Sequence, residues 1–111
     1  MKVKTKDLSG IALDWAVAKC EEVLDEFGVN DIESWSSDWR LAGPIIEREK
    51  IAVYPLDGGA EFSWTAQMYD ENNRLIFQGL GFTPLEAAMR CYVGNTQRQL
   101  EVEIEVPDDL I

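Results

Sequence analysis

The hydrophobic pattern of the chain changes period several times, and each change marks an element. Met1, Val3 and Thr5 alternate with Lys2, Lys4 and Lys6, the two-residue period of a half-buried strand. From Asp7 or Ser9, either of which can act as an N-cap, the period lengthens. Leu8, Ile11, Ala12, Trp15, Ala16, Cys20, Val23 and Phe27 are spaced to share one helical face. Asp14, Glu21 and Asp25 fall on the opposite face, which reads as a solvated surface, and Gly28 is a natural stop. Residues 29–50 sustain no period. Polar caps, Trp35, Trp39 and Gly43-Pro44 mix there, predicting an ordered loop with a short helical turn over Ser36–Leu41.

Three strand-like runs follow. Ile51–Leu56 is closed by Asp57-Gly58-Gly59. Next, Phe62, Trp64, Ala66 and Met68 alternate with Ser63, Thr65, Gln67 and Tyr69, and Asn72-Asn73 turns the chain into Arg74–Gly79. Such short links favour an antiparallel meander. Thr83-Pro84-Leu85-Glu86 is a capping box with proline at the first helical position. It opens a helix whose Leu85, Ala88, Met89 and Tyr92 share a face, ended by Gly94 or the polar run behind it.

In the tail, Leu100, Val102, Ile104 and Val106 alternate with Glu101, Glu103 and Glu105. These carboxylates match the outward lysines of the first strand. The terminal strands are therefore expected side by side with Lys-Glu pairs across them. Exposed pairs are worth only roughly 0.2–1 kcal/mol each, so the pattern sets register more than stability. The rival reading leaves the glutamate edge bare to block edge-to-edge association. The expected fold is a single α+β domain over residues 1–111. It has an antiparallel sheet of about four to five strands packed with two α-helices, terminal strands adjacent.

Composition narrows the function. A chain of 111 residues, 46% hydrophobic with four tryptophans, can bury a core without a disulfide or metal staple. Trp15, Trp64, Met68 and Met89 sit at regular apolar positions and read as core. Cys20 and Cys91 lack any CxxC partner, so in a reducing cytosol they read as small buried hydrophobes. The basic start has no apolar run behind it and so does not read as a signal peptide. The longest apolar runs are far short of the roughly 20 residues that span a bilayer. The expected setting is the cytoplasm, without membrane contact.

A net charge of −11 repels nucleic-acid phosphate, which disfavours direct DNA or RNA binding. The complete absence of histidine removes His-based zinc sites, Ser-His-Asp and Cys-His systems and the commonest general base. There is no DxD pattern and no glycine-rich phosphate loop with lysine. No enzyme activity, cofactor or metal is expected.

Three segments together carry a family resemblance. They are Leu8 through Cys20, then Ser36-Ser37-Asp38-Trp39 followed by Gly43-Pro44-Ile45-Ile46-Glu47-Arg48-Glu49, and finally Thr83 through Val93. In this order the chain resembles NinX-like phage proteins, a family named from a gene in the nin region of lambdoid phages. It is also similar to a broader group of small phage domains built as an α-β-α sandwich. One departure is Trp35-Ser36-Ser37-Asp38, which stands where the family pattern is richer in tyrosine and serine. The resemblance implies a phage accessory protein in the host cell cytoplasm, and it implies no particular activity.

The segment from Ser36 to Arg48 is the candidate site. Ser37, Asp38, Trp39, Arg40, Pro44 and Arg48, with Arg90 from the later helix, offer an aromatic wall and a few polar groups on a loop. Trp39 can stack on a flat ring, and Arg40, Arg48 or Arg90 can grip a phosphate or carboxylate. The purely structural alternative has Asp38 capping a short helix, Trp39 filling the core and Arg48 pairing with Glu47 or Glu49. Two functional readings follow. In one, a homo-oligomer captures a small anionic, nucleotide-like host ligand, in keeping with phage accessory genes that counter host defence. In the other, an acidic surface binds a host protein, as a DNA mimic does.

Overall fold

The computed structural model describes residues 1–23, 32–57, 61–96 and 103–110. In chain order the elements are β1 (Lys2–Lys4), a 3-10 turn at Thr5–Asp7, α1 (Gly10–Cys20), α2 (Trp39–Glu49) and β2 (Ala52–Pro55). They continue with β3 (Trp64–Tyr69), β4 (Leu75–Gly81), α3 (Pro84–Thr96), β5 (Glu103–Glu105) and a 3-10 turn at Asp108–Leu110. Expectations placed on Asp25, Phe27, Gly28, Gly58, Gly59, Leu100, Glu101 and Val102 lie outside the described residues.

The alternating termini pair as their pattern predicts. β1 runs antiparallel to β5 with Lys2 opposite Glu105, Val3 opposite Ile104 and Lys4 opposite Glu103. Ile104 is buried, so a one-residue slip would turn it to solvent and bring a glutamate inward. The close ion pairs at this end come from the amino terminus, whose ammonium lies 3.2 Å from Glu105 and 2.9 Å from Asp108. β2, β3 and β4 form the expected antiparallel meander, a separate sheet in the order β2-β3-β4. The strands are thus divided between two small sheets.

Within the loop expected over residues 29–50, Trp39–Glu49 is instead helix, which raises the α-helices among the described residues to three. Asp38 caps α2 by accepting from the Arg40 N–H at 2.9 Å, and Lys50 closes it in the left-handed conformation at φ 54°. Gly43-Pro44 stays inside the helix. A residue before proline is normally pushed out of the helical region by its own Cβ, and glycine has none. Proline still removes one internal hydrogen bond, and the burial of Ala42 and Ile45 offsets that loss.

α3 is the centre of the molecule. It packs on the meander on one side and on α1 and α2 on the other. Nine consecutive-to-near residues from Leu85 to Gly94 are buried, the mark of a helix covered all round. The sheet meets it through glycine: a Cβ at Gly79 would lie 2.5 Å from the Cys91 nitrogen, and one at Gly81 2.5 Å from the Ala87 nitrogen. Burial also pushes the Cys91 thiol up to about 12, so it packs as a hydrophobe. Trp15, Met68 and Met89 are buried, and Trp64 packs half-buried against the core. Among the described helices, α3 packs on the meander, and α1 and α2 pack on α3.

Two α1 assignments are reversed. Ile11, expected inward, is exposed, while Asp14, expected on the solvated face, is buried and accepts the Ser36 N–H at 2.8 Å. Burial raises the Asp14 carboxyl above its ordinary value, with Ser36 opposing the shift. Below 3.8 the group is neutral folded or unfolded. As pH rises through the folded pKa the native state must ionise it where charge is disfavoured, and stability is lost. Asp14→Asn keeps the acceptor and removes that loss. It should stabilise at pH 7 by about 1 kcal/mol and match the wild type near pH 3 in urea titrations. Asp14→Ala strands the Ser36 N–H and should cost about 1–3 kcal/mol.

Candidate functional site

The amino-terminal cap of α3 sets up the site. Thr83 Oγ1 accepts the Glu86 N–H at 3.1 Å, the first half of the capping box. The second half is displaced by one residue: Glu86 Oε1 accepts from the Phe82 N–H at 3.0 Å. The same oxygen lies 3.1 Å from Arg90 Nη1, one turn further along α3. Arg90 is only 6% exposed. Its Nε donates to Leu8 O at 2.7 Å, and its Nη1 donates to Leu80 O at 2.9 Å.

Those two carbonyls belong to opposite walls of a cleft. Gly81 O accepts from the Ser63 N–H, so Gly81 turns toward the β3 side. By the alternation of an antiparallel ladder, Leu80 turns away from it, to the free edge of β4. Arg90 bridges from there to the segment between β1 and α1. The cleft has a volume of about 400 Å³. Lys4, Thr5 and Lys6 line one wall; Phe77, Gln78, Gly79 and Leu80 line the other; Phe62 and Arg90 complete it. The Arg90 guanidinium lies 5.8 Å from the Phe62 ring centre, and Phe62 leans on Phe82 at 5.0 Å.

The charge of this lining is opposite to that of the chain. None of the nine lining residues is acidic and three are cationic, in a protein with 21 acidic side chains. Arg90 Nη2 has no partner among the described residues, so a donor remains for a bound anion. The lining offers no carboxylate and no thiol, and its hydroxyl, on Thr5, has no base beside it in the lining. The arrangement can hold an anionic group beside an apolar, aromatic wall.

The residues singled out from the sequence are dispersed. Arg90 is in the cleft. Ser37 is exposed beside the start of α2, Asp38 caps that helix, and Arg40 lies 3.4 Å from Asp38 at the surface. Trp39 is 57% exposed and fills no core, and Pro44 is exposed further along α2. Arg48 meets Glu21 at 2.7 Å and Glu49 at 2.8 Å, and its guanidinium lies 5.7 Å from the Tyr92 ring centre. Tyr92 in turn donates to Glu21. Arg48 holds the Glu21 carboxyl below its ordinary value, while burial and Glu21 push the Tyr92 hydroxyl up. This network ties α2 and α3 to the end of α1 and lies apart from the cleft lining. Lys4, Lys6, Phe62 and Phe77 were not singled out. The lysine alternation was visible, but nothing local shows that the first strand ends against the edge of β4.

Among the described residues no helix is long and apolar enough to cross a membrane. A family model described as Bacteriophage P22, NinX matches residues 31–96, more than half of the chain and spanning α2, the meander and α3. No curated protein matches the chain.

Proposed function

Since the chain belongs to the bacteriophage P22 NinX family, we propose that it is a phage accessory protein that works by binding a small anionic ligand, nucleotide-like in having a flat ring beside its charge. The observation that carries this reading is the cleft itself, a cation-lined and aromatic recess free of carboxylates in a chain of net charge −11. Arg90 Nη2, Lys4 and Lys6 receive the anion, and Phe62 and Phe77 take the ring. Such contacts are charge-assisted on one side and apolar on the other, the usual division in small-molecule sites. The lining gives no support to catalysis, and the phage setting favours capture of a host signal, which would blunt a host defence.

Calorimetry with adenosine monophosphate as the probe tests it. Wild type should bind, and Lys6→Glu or Phe62→Ala should each weaken binding by about tenfold or more, about 1.4 kcal/mol. Affinity should fall as salt is raised, because screening acts on the partly exposed lysines. Trp39→Ala, outside the cleft, should leave affinity unchanged. Absence of binding by wild type, or loss in Trp39→Ala with Lys6→Glu unaffected, overturns the assignment.

A further inference from the structure

α3 covers one face of the meander, and the opposite face has an unusual chemistry for this molecule. Register places Tyr54, Thr65 and Leu80 in one row across the three strands and Ala52, Gln67 and Gln78 in the next, with Tyr69 beside Leu75 beyond them. Tyr54, Tyr69, Leu75, Ile76 and Leu80 are all exposed. No charged side chain belongs to these rows, although 31 of the 111 residues are charged. The open face of an antiparallel sheet is normally polar, so an exposed face of tyrosine, leucine and isoleucine marks a contact surface.

We propose that this face binds a second copy of the chain, back to back across a twofold axis. Two molecules of net charge −11 repel one another, and the repulsion is least where the touching surfaces carry no charge. The polar groups present also suit a like partner. The Thr65 hydroxyl is buried and bonded to Gly79 O and the Gln78 amide. The Tyr54 hydroxyl, the Gln67 amide nitrogen and the Gln78 amide oxygen have no partner among the described residues, so the face keeps both donors and acceptors and is complementary to itself. An isologous contact requires that self-complementarity. Three strands about 4.8 Å apart give a small footprint, which places the dimer in the weak, reversible class. Gln78 and Leu80 border both this face and the cleft at the β4 edge, whereas Tyr54, Tyr69 and Ile76 lie outside the cleft lining. Substitutions at Tyr54 and Ile76 therefore test the dimer apart from ligand binding.

Sedimentation velocity from low micromolar to about 1 mM protein measures it. The expected result is a shift from 12.6 kDa toward twice that mass as concentration rises. Tyr54→Lys and Ile76→Lys should each shift the dimer constant at least tenfold toward monomer. Both substitutions lower the net negative charge, so a general charge effect would tighten association and only damage to this face loosens it. Ile11→Lys, an exposed apolar position on α1, is the control and should not loosen the dimer. Far-ultraviolet circular dichroism shows whether each variant is folded. A wild type that stays monomeric throughout overturns the proposal. So does a dimer that survives both face substitutions, or one that Ile11→Lys disrupts equally.

Discussion

Gly79→Ala should lower stability by about 3 kcal/mol or more, seen as a melting point about 10–20 °C lower. The new methyl carbon would stand 2.5 Å from the Cys91 nitrogen, 2.6 Å from Ala87 O and 2.9 Å from the Cys91 Cα. All three are backbone atoms of α3. No side chain can rotate out of the way, so the helix must lift from the sheet along its length. Since domains of this kind have only about 5–15 kcal/mol in hand, the loss is a large share of the total. Two other glycines set the scale. A Cβ at Gly94 would lie 2.2 Å from a Phe77 ring atom, but the ring can move, and the cost should be smaller. A Cβ at Gly43 would meet nothing within 4 Å beyond its chain neighbours and its own helix's backbone, so Gly43→Ala bears only the local clash with Pro44 and should cost less than Gly79→Ala. Equal melting points for the Gly79 and Gly43 variants would show that the sheet and α3 are not locked as described.

The close fit at Gly79 also explains how far the sequence could be read. Elements with a single exposed face announced themselves, because burial on one side leaves a period. The terminal strands, the meander and the Thr83 cap were legible for that reason, including lysines opposite glutamates across the terminal strands, while the register that sets Lys2 on Glu105 and Lys4 on Glu103 comes from the structure. α3 has no such contrast. Its small residues Ala87, Ala88, Cys91 and Gly94 are buried on several sides at once, and the pairing of Gly79 and Gly81 against them is a long-range fact. α2 was hidden by Gly43-Pro44, locally a stop signal, although Ala42, Ile45 and Ile46 do keep helical spacing behind the Asp38 cap. Asp14 was misplaced because its hydrogen-bond partner, Ser36, lies 22 residues away. The candidate site suffered most. Arg90 was found among the arginines by its chemistry alone, and its cleft is assembled from β1, the β4 edge and α3, which no window of sequence brings together.

Arg90 itself should prove the most consequential polar side chain in the molecule, with Arg90→Met costing about 3–5 kcal/mol in urea unfolding. The guanidinium joins three partners, Leu8 O, Leu80 O and the Glu86 carboxylate. Removing it leaves a carbonyl on each wall without its donor and a carboxylate, 17% exposed, without its cation. Lysine is a poor substitute, since one ammonium cannot reproduce the fork that spans both walls, and Arg90→Lys should recover less than half of the loss. Part of the cost lies in the stranded Glu86 charge. Arg90→Met with Glu86→Gln should therefore be less unstable than the sum of the two single changes, by about 1 kcal/mol or more. Strict additivity would mean that the pair does not interact. The same variants separate scaffold from site. Lys6→Glu alters the cleft from its rim and should reduce ligand affinity with little change in stability, whereas Arg90→Lys should lower both, because the walls it holds together are the walls of the cleft.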